Sequence, residues 1–171
     1  MPTRRLVLMR HAKSSWDGPF SDHDRPLNER GKRDAPRIAE ALNHLSVIPD
    51  LVLHSSARRT TETWELMAPV FTETIPAHSL ETFYLAGLDE INKAIQTVSP
   101  DCQCILVIGH NPGWEMAVSR LARKPTSLTT ANAATLTAPK SFQWSDGLLG
   151  PDPWELVRLL RPKELDGIRP A

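Results

Sequence analysis

Arg10 and His11 stand side by side where the apolar run LVLM at 6–9 gives out. The same punctuation returns twice: LVL at 51–53 leads into His54, with Arg58 and Arg59 close behind, and ILVI at 105–108 leads into Gly109 and His110. Arginine presents a planar fork of donors that matches a phosphoryl group. Imidazole can act as nucleophile or proton carrier near neutrality. As parallel neighbours, the three runs would bring two of these three histidines and two or three arginines into one small volume, and such a cluster calls for an anion. Helix N-termini expected just downstream, near Ala57 and Pro112, would add backbone N–H donors and a favourable dipole.

The elements that must position these groups follow from hydrophobic period and turn chemistry. Residues 5–9 read as a buried strand, and 16–27, with Asp17, Gly18, Pro19, Ser21 and Asp22, as a loop. Ile38, Leu42 and Leu45 fit one helix face over 28–45, with Gly31 and Pro36 obscuring its start. A second strand spans 51–54, and a helix over 57–67 has Ser55 or Ser56 available as its cap. A weak strand is expected at 74–77 and a helix over 88–98 on Leu88, Ile91, Ile95 and Val98. CILVIGH is then the clearest buried strand, and a helix over 112–121 has Asn111 as cap and Pro112 as first residue. ANAATLTAP and WELVRLL read as two further strands. Strands alternating with helices predict an α/β, three-layer α/β/α domain with a mostly parallel central sheet, over residues 1–171. In such sheets the ligand site lies at the carboxyl ends of the strands.

Composition narrows the function classes. A chain of 171 residues buries about 70 % of its unfolded surface as one domain. Lys+Arg and Asp+Glu are equal at 20 each, so any basic feature is local, and neither nucleic acid nor a membrane surface is an expected partner. The run after Arg4 and Arg5 is too short for an export segment, and no run approaches the roughly 20 residues of a spanning helix. A cytoplasmic setting is expected. Cys102 and Cys104 lack the further ligands of a zinc site and read as ordinary thiols.

LVLMRHAKS, DHDRPLNERGKRDA, SSARRTTET and VIGHNPG resemble, in order, the successive motifs of the histidine phosphatase superfamily. The fold implied is phosphoglycerate-mutase-like, and the nearest branch is the short SixA-type phosphohistidine phosphatases. The resemblance runs from residue 6 to about 115, and more loosely through PWELVRLLRPKEL. It implies that His11 is the nucleophile that becomes phosphorylated, with Arg10 beside it as a phosphate ligand. Arg59 then falls on the second phosphate-binding arginine, with Arg58 as its variable neighbour, and His110 on the second histidine, which binds the phosphoryl group. Arg25 matches an arginine at the rim. Ala12-Lys13 stands where many members have Gly-Glu, which argues against the mutase branch; Ser56 replaces a common proline and Thr60 a common alanine.

A histidine that attacks phosphorus must be neutral, and neighbouring arginines disfavour imidazolium. Its attacking nitrogen is free when the other nitrogen donates to a fixed acceptor, most simply a backbone carbonyl. The route is then covalent and two-step, with charge on the phosphoryl oxygens held by Arg10, Arg59 and His110, and no metal or cofactor is called for. Glu81 is the candidate proton donor to a leaving group, with Asp22 and Asp24 as competitors. Lys13, Ser14 and Ser15 follow the nucleophile and either contact phosphate or substrate or serve only the loop. His23, His44 and His78 read as solvent-facing or structural, His54 as packing or capping in preference to lining the site, and the tryptophans at 16, 64, 114 and 154 as core or rim. Arg30, Arg33 and Arg37 read as a solvated helix face, with a docking surface as the alternative.

The 50 residues between Arg59 and His110 leave no room for a lid domain, which favours a phosphorylated side chain on a protein of the histidine-phosphotransfer type. A small phosphoester is the alternative substrate, since the loop 16–27 could close over it. A phosphate-binding module without turnover is the competing class. It could dispense with His11, and this chain keeps it.

Overall fold

The strongest apolar runs become the inner strands of a sheet covered on both faces, which is why they read as continuous and not alternating. A computed structural model describes residues 3–167, so the expected span of 1–171 extends past the described residues at both ends. Its strands are β1 (Arg5–Arg10), β2 (Leu51–Ser55), β3 (Ala77–Leu80), β4 (Cys104–Gly109), β5 (Ala133–Thr137) and β6 (Glu155–Leu160). Its helices are α1 (Glu29–His44), α2 (Arg58–Met67), α3 (Leu88–Ile95) and α4 (Gly113–Ala122). The sheet order is β3-β2-β4-β1-β5-β6. The first four are mutually parallel, while β5 runs antiparallel to both β1 and β6. The sheet is therefore mixed and mostly parallel, as expected.

Alternation along each strand assigns the two faces. Leu6, Leu8, Ile105 and Val107 pack with Ile91 and Ile95 of α3 and Trp114 and Val118 of α4. Val7, Met9, Leu106 and Ile108 pack with Ile38 and Leu42 of α1 and Trp64 and Met67 of α2. The result is the expected three-layer arrangement.

Several boundaries differ from expectation for local reasons. Helix α1 starts at Glu29 because the Asn28 side chain accepts from the Gly31 N–H at 2.9 Å, and the helix runs on through Pro36. A Cβ on Gly31 would lie 2.2 Å from the Lys13 carbonyl oxygen, so the glycine lets the loop after β1 rest on the helix. Neither Ser55 nor Ser56 caps α2: Ala57 holds that position with no side-chain bond, and Ser55 is turned into the site described below. The third strand forms at Ala77–Leu80 and not at 74–77, because its partners are Val52 to Ser55, and Pro76 supplies only a carbonyl, to the Val52 N–H. Helix α3 stops at Ile95, three residues early, where Thr97 and Val98 turn to carbonyls three residues back. Pro112, not Asn111, is the cap residue of α4, and the Asn111 side chain donates to the Leu128 carbonyl instead.

Candidate active site

Strand register alone brings the two histidines together. Arg10 pairs with Gly109 across adjacent parallel strands, so the next residues, His11 and His110, emerge as neighbours with ring centroids 5.4 Å apart. On the other side of β4, His54 pairs with Ile108, which brings Ser55 up beside His110, its Oγ 2.8 Å from Nε2. A Cβ on Gly109 would lie 2.2 Å from the Trp114 ring, so the bare strand end lets that indole fold back beneath the site.

Arg59, in the first turn of α2, ties the cluster together. It is buried, with Nε donating to His11 Nε2 at 3.3 Å and Nη2 to His110 Nδ1 at 3.2 Å. Its Nη1 donates to the Asp22 carbonyl at 2.6 Å and its Nη2 also reaches the Asp22 carboxylate at 3.3 Å. These donors settle the tautomers. His11 Nδ1–H donates to the Ala12 carbonyl at 2.7 Å, leaving the Nε2 lone pair turned to Arg59. His110 donates from Nε2 to Ser55 and accepts at Nδ1. The Ala12 peptide is fixed in turn: its N–H donates to Thr63 Oγ1 at 3.0 Å, and that hydroxyl donates to the Arg59 carbonyl at 2.6 Å.

Burial keeps both rings neutral. The His11 pKa is pushed down to about 3, first by burial and then by His110, Arg59 and Arg10, against the pull of the Ala12 carbonyl. His110 is likewise pushed down to about 3, by burial and then by Arg59. The neighbouring arginines contribute, as expected, but burial has the larger share. Arg10 donates from Nη1 to the Leu128 carbonyl at 3.1 Å, and its buried Nε has no partner among the described residues.

The loop 16–27 supplies the rim. Arg25 donates from Nη1 to Ser14 Oγ at 2.6 Å, binds Asp22 Oδ1 through Nε and Nη2, and lies 3.6 Å from the centroid of the Trp16 ring. Ser14 thus orients Arg25. Lys13 is half-buried, and its backbone carbonyl takes the Asn28 N–H. Glu81 opens the short turn Glu81–Phe83 after β3, exposed and outside the hydrogen bonds of the cluster. Tyr84, one residue past that turn, sends its hydroxyl to Asp22 instead and sets its ring edge-on to His110. His23 bonds Ser56 Oγ and packs against Tyr84. Arg58 is exposed and paired with Glu62, and the buried His54 is bonded to the Ser55 carbonyl, outside the cluster. Tyr84, Ser55 and the bridging role of Asp22 were not foreseen from sequence; the available signals were the place of Ser55 at a strand end and of Asp22 in the loop after Arg10-His11. Among the described residues no group of three or more His, Cys, Asp or Glu side chains is placed to hold a metal ion.

The model of the histidine phosphatase superfamily (branch 1) matches residues 6–95. The chain belongs to the histidine phosphatase superfamily. An uncharacterised, chloroplastic protein of Arabidopsis thaliana is 39 % identical over 171 residues, covering 94 % of this chain and 78 % of that protein. Two solved structures described as "putative phosphohistidine phosphatase SixA" superpose closely. That from Nakamurella multipartitia has a TM-score of 0.80 at 29 % identity, over 95 % of this chain and 98 % of the other. That from Agrobacterium tumefaciens has a TM-score of 0.77 at 28 % identity, over 95 % and 99 %. The SixA-type, phosphoglycerate-mutase-like architecture is thus the one that positions the cluster of this histidine phosphatase. No helix among the described residues is long and apolar enough to cross a membrane.

Proposed function

We propose that the protein is a metal-independent phosphatase that works through phosphorylated His11 and takes protein phosphohistidine as substrate. The observation that carries this reading is the His11 ring, held by the Ala12 carbonyl so that a neutral Nε2 lone pair faces Arg59 and His110. In the first step that lone pair forms a bond to phosphorus and the leaving group departs with the electron pair of its own bond. Water then attacks phospho-His11, and phosphate and neutral His11 result. Arg59 and Arg10 hold the phosphoryl oxygens, and His110 joins them when its N–H turns from Ser55 to the phosphoryl group; the buried Arg10 Nε is a donor that a phosphoryl oxygen would satisfy. Arg25 and Ser14 shape the rim through their mutual hydrogen bond, and Lys13 stands on the same loop. The exposed position of Glu81 lends no support to it as an acid, and a phosphohistidine substrate has less need of one. The cytoplasm, as a reducing compartment, is the setting that fits two free, buried cysteines, Cys102 and Cys104.

The test is phosphate release, with a chelator present, from a histidine-phosphorylated phosphotransfer protein and from a panel of small phosphoesters. Wild type should turn over the phosphoprotein, and His11→Ala should lose at least about 10³-fold in kcat. Faster His11-dependent turnover of an ester would move the assignment to a small-molecule phosphatase. No His11-dependent release from either would leave a phosphate-binding module.

A further inference from the structure

One carboxylate at the mouth of the site is bonded into the cluster. Asp22 Oδ1 accepts from Arg25 Nε and Nη2 at 3.2 and 3.1 Å, while Oδ2 accepts from Arg59 Nη2 at 3.3 Å and from the Tyr84 hydroxyl. Its side chain is 45 % exposed, whereas His11, Arg59 and His110 beneath it are buried. The other acidic candidates stand apart: Asp24 turns to Ser21 and His23, and Glu81 is exposed. Asp22 is a carboxylate throughout the neutral range, its pKa held down to about 2 by the Tyr84 hydroxyl first and by Arg59 and Arg25.

In-line displacement places the leaving atom across phosphorus from the attacking nitrogen. His11 is buried, whereas Asp22, bonded to Tyr84 beside His23, is half-exposed, so a protein-borne leaving group reaches the cluster from the Asp22 side. We propose that Asp22 is a specificity-determining residue: its carboxylate accepts the N–H of a departing imidazole and turns away leaving groups that depart as anions. The proposal rests on the reading of His11 as nucleophile.

The chemistry separates the two substrate classes. An ester leaves as an oxyanion unless it receives a proton, and an ionised Asp22 neither gives one nor welcomes the charge. A phosphorylated imidazole protonated on its second ring nitrogen, the form that leaves readily, carries its own N–H. The His11 Nε2 lone pair forms the new N–P bond, the old P–N bond breaks, and its electron pair stays on the ring nitrogen. The ring departs as neutral imidazole with its N–H intact, and no proton is exchanged with the enzyme in that step. Phosphoryl oxygens that draw Arg59 Nη2 to themselves release a lone pair on Asp22 Oδ2 for that N–H.

The test compares kcat/KM of the full chain, wild type and Asp22→Asn, on phosphoimidazole and on p-nitrophenyl phosphate, whose phenol leaves as an anion. Asp22→Asn should lose about tenfold on phosphoimidazole, the scale of one charge-assisted hydrogen bond, and gain several-fold on the aryl ester. Opposite movements on the two substrates are the signature, since a merely structural contact would lower both. Parallel losses, or no change on either, overturn the proposal; Asp22→Ala, with thermal unfolding recorded for both variants, guards against an unfolded protein. His11-dependent turnover of phosphoimidazole by wild type, without crossing in Asp22→Asn, defeats only the role of Asp22. Absence of His11-dependent turnover on both substrates defeats the nucleophile reading and this proposal with it.

Discussion

One guanidinium does most of the connecting in this site. Arg59 spends its donors on His11, His110 and both the backbone and side chain of Asp22, so its shape matters as much as its charge. Arg59→Lys keeps the positive charge but replaces a planar fork by a single ammonium point. We expect a loss of about 10²–10³ in kcat, the scale of a missing oxyanion donor, measured by single-turnover phosphate release from His11-competent protein. Arg10, His11, Arg59 and His110 were legible in the chain because each sits at or just past a strand end or in a helix first turn, where polar residues interrupt apolar runs. Asp22, Tyr84 and Ser55 were not legible in their roles. Asp22 and Tyr84 lie in segments with no period and Ser55 ends β2 where a cap was the expected role; their partners are 37, 62 and 55 residues away, distances that only the folded register closes.

At the scale of elements, the placement of the nucleophile loop depends on how closely backbone can approach backbone. Gly31 packs its α-carbon face onto the Lys13 peptide, and a methyl group there would meet a carbonyl oxygen at 2.2 Å with no flexible side chain to yield. Gly31→Ala should therefore cost about 1–3 kcal/mol of stability, read as a lower urea midpoint, and should disturb kcat because Lys13 is two residues from His11. Gly31 obscured the helix start in the sequence for this same reason: a residue that is poor for the helix is retained for a tertiary contact. Inner strands β1, β2 and β4 were legible because burial on both faces makes them continuously apolar. Ala77–Leu80, at the edge and largely solvated, carries no such signal, and pairing with β2 alone fixed its position. The early stop of α3 and the cap of α4 likewise follow from hydrogen bonds that no local pattern announces.

Across the whole molecule, charge is balanced while the site is cationic, and the consequence appears in acid. His11 and His110 are neutral when folded, with pKa values near 3 in place of the usual 6.5, and both bind protons on unfolding between those limits. Stability must therefore fall as pH drops through that window, by about 2 kcal/mol per ring at pH 5 relative to pH 7.5. Asp22 does not contribute there, because its stabilising effect is lost only below the ordinary carboxylate range. Urea titrations at pH 5 and 7.5 should show this loss in wild type and a smaller one in His11→Gln/His110→Gln; equal slopes would mean that the rings are already charged in the fold.

The rim also gives the molecule an optical handle. Of five tryptophans, 64, 114, 144 and 154 are buried, whereas Trp16 is 73 % exposed. A collisional quencher in solution therefore samples essentially one indole, and that indole is stacked on the cation that grips Asp22. The protein's native fluorescence has a component addressed to the site entrance, available without any label.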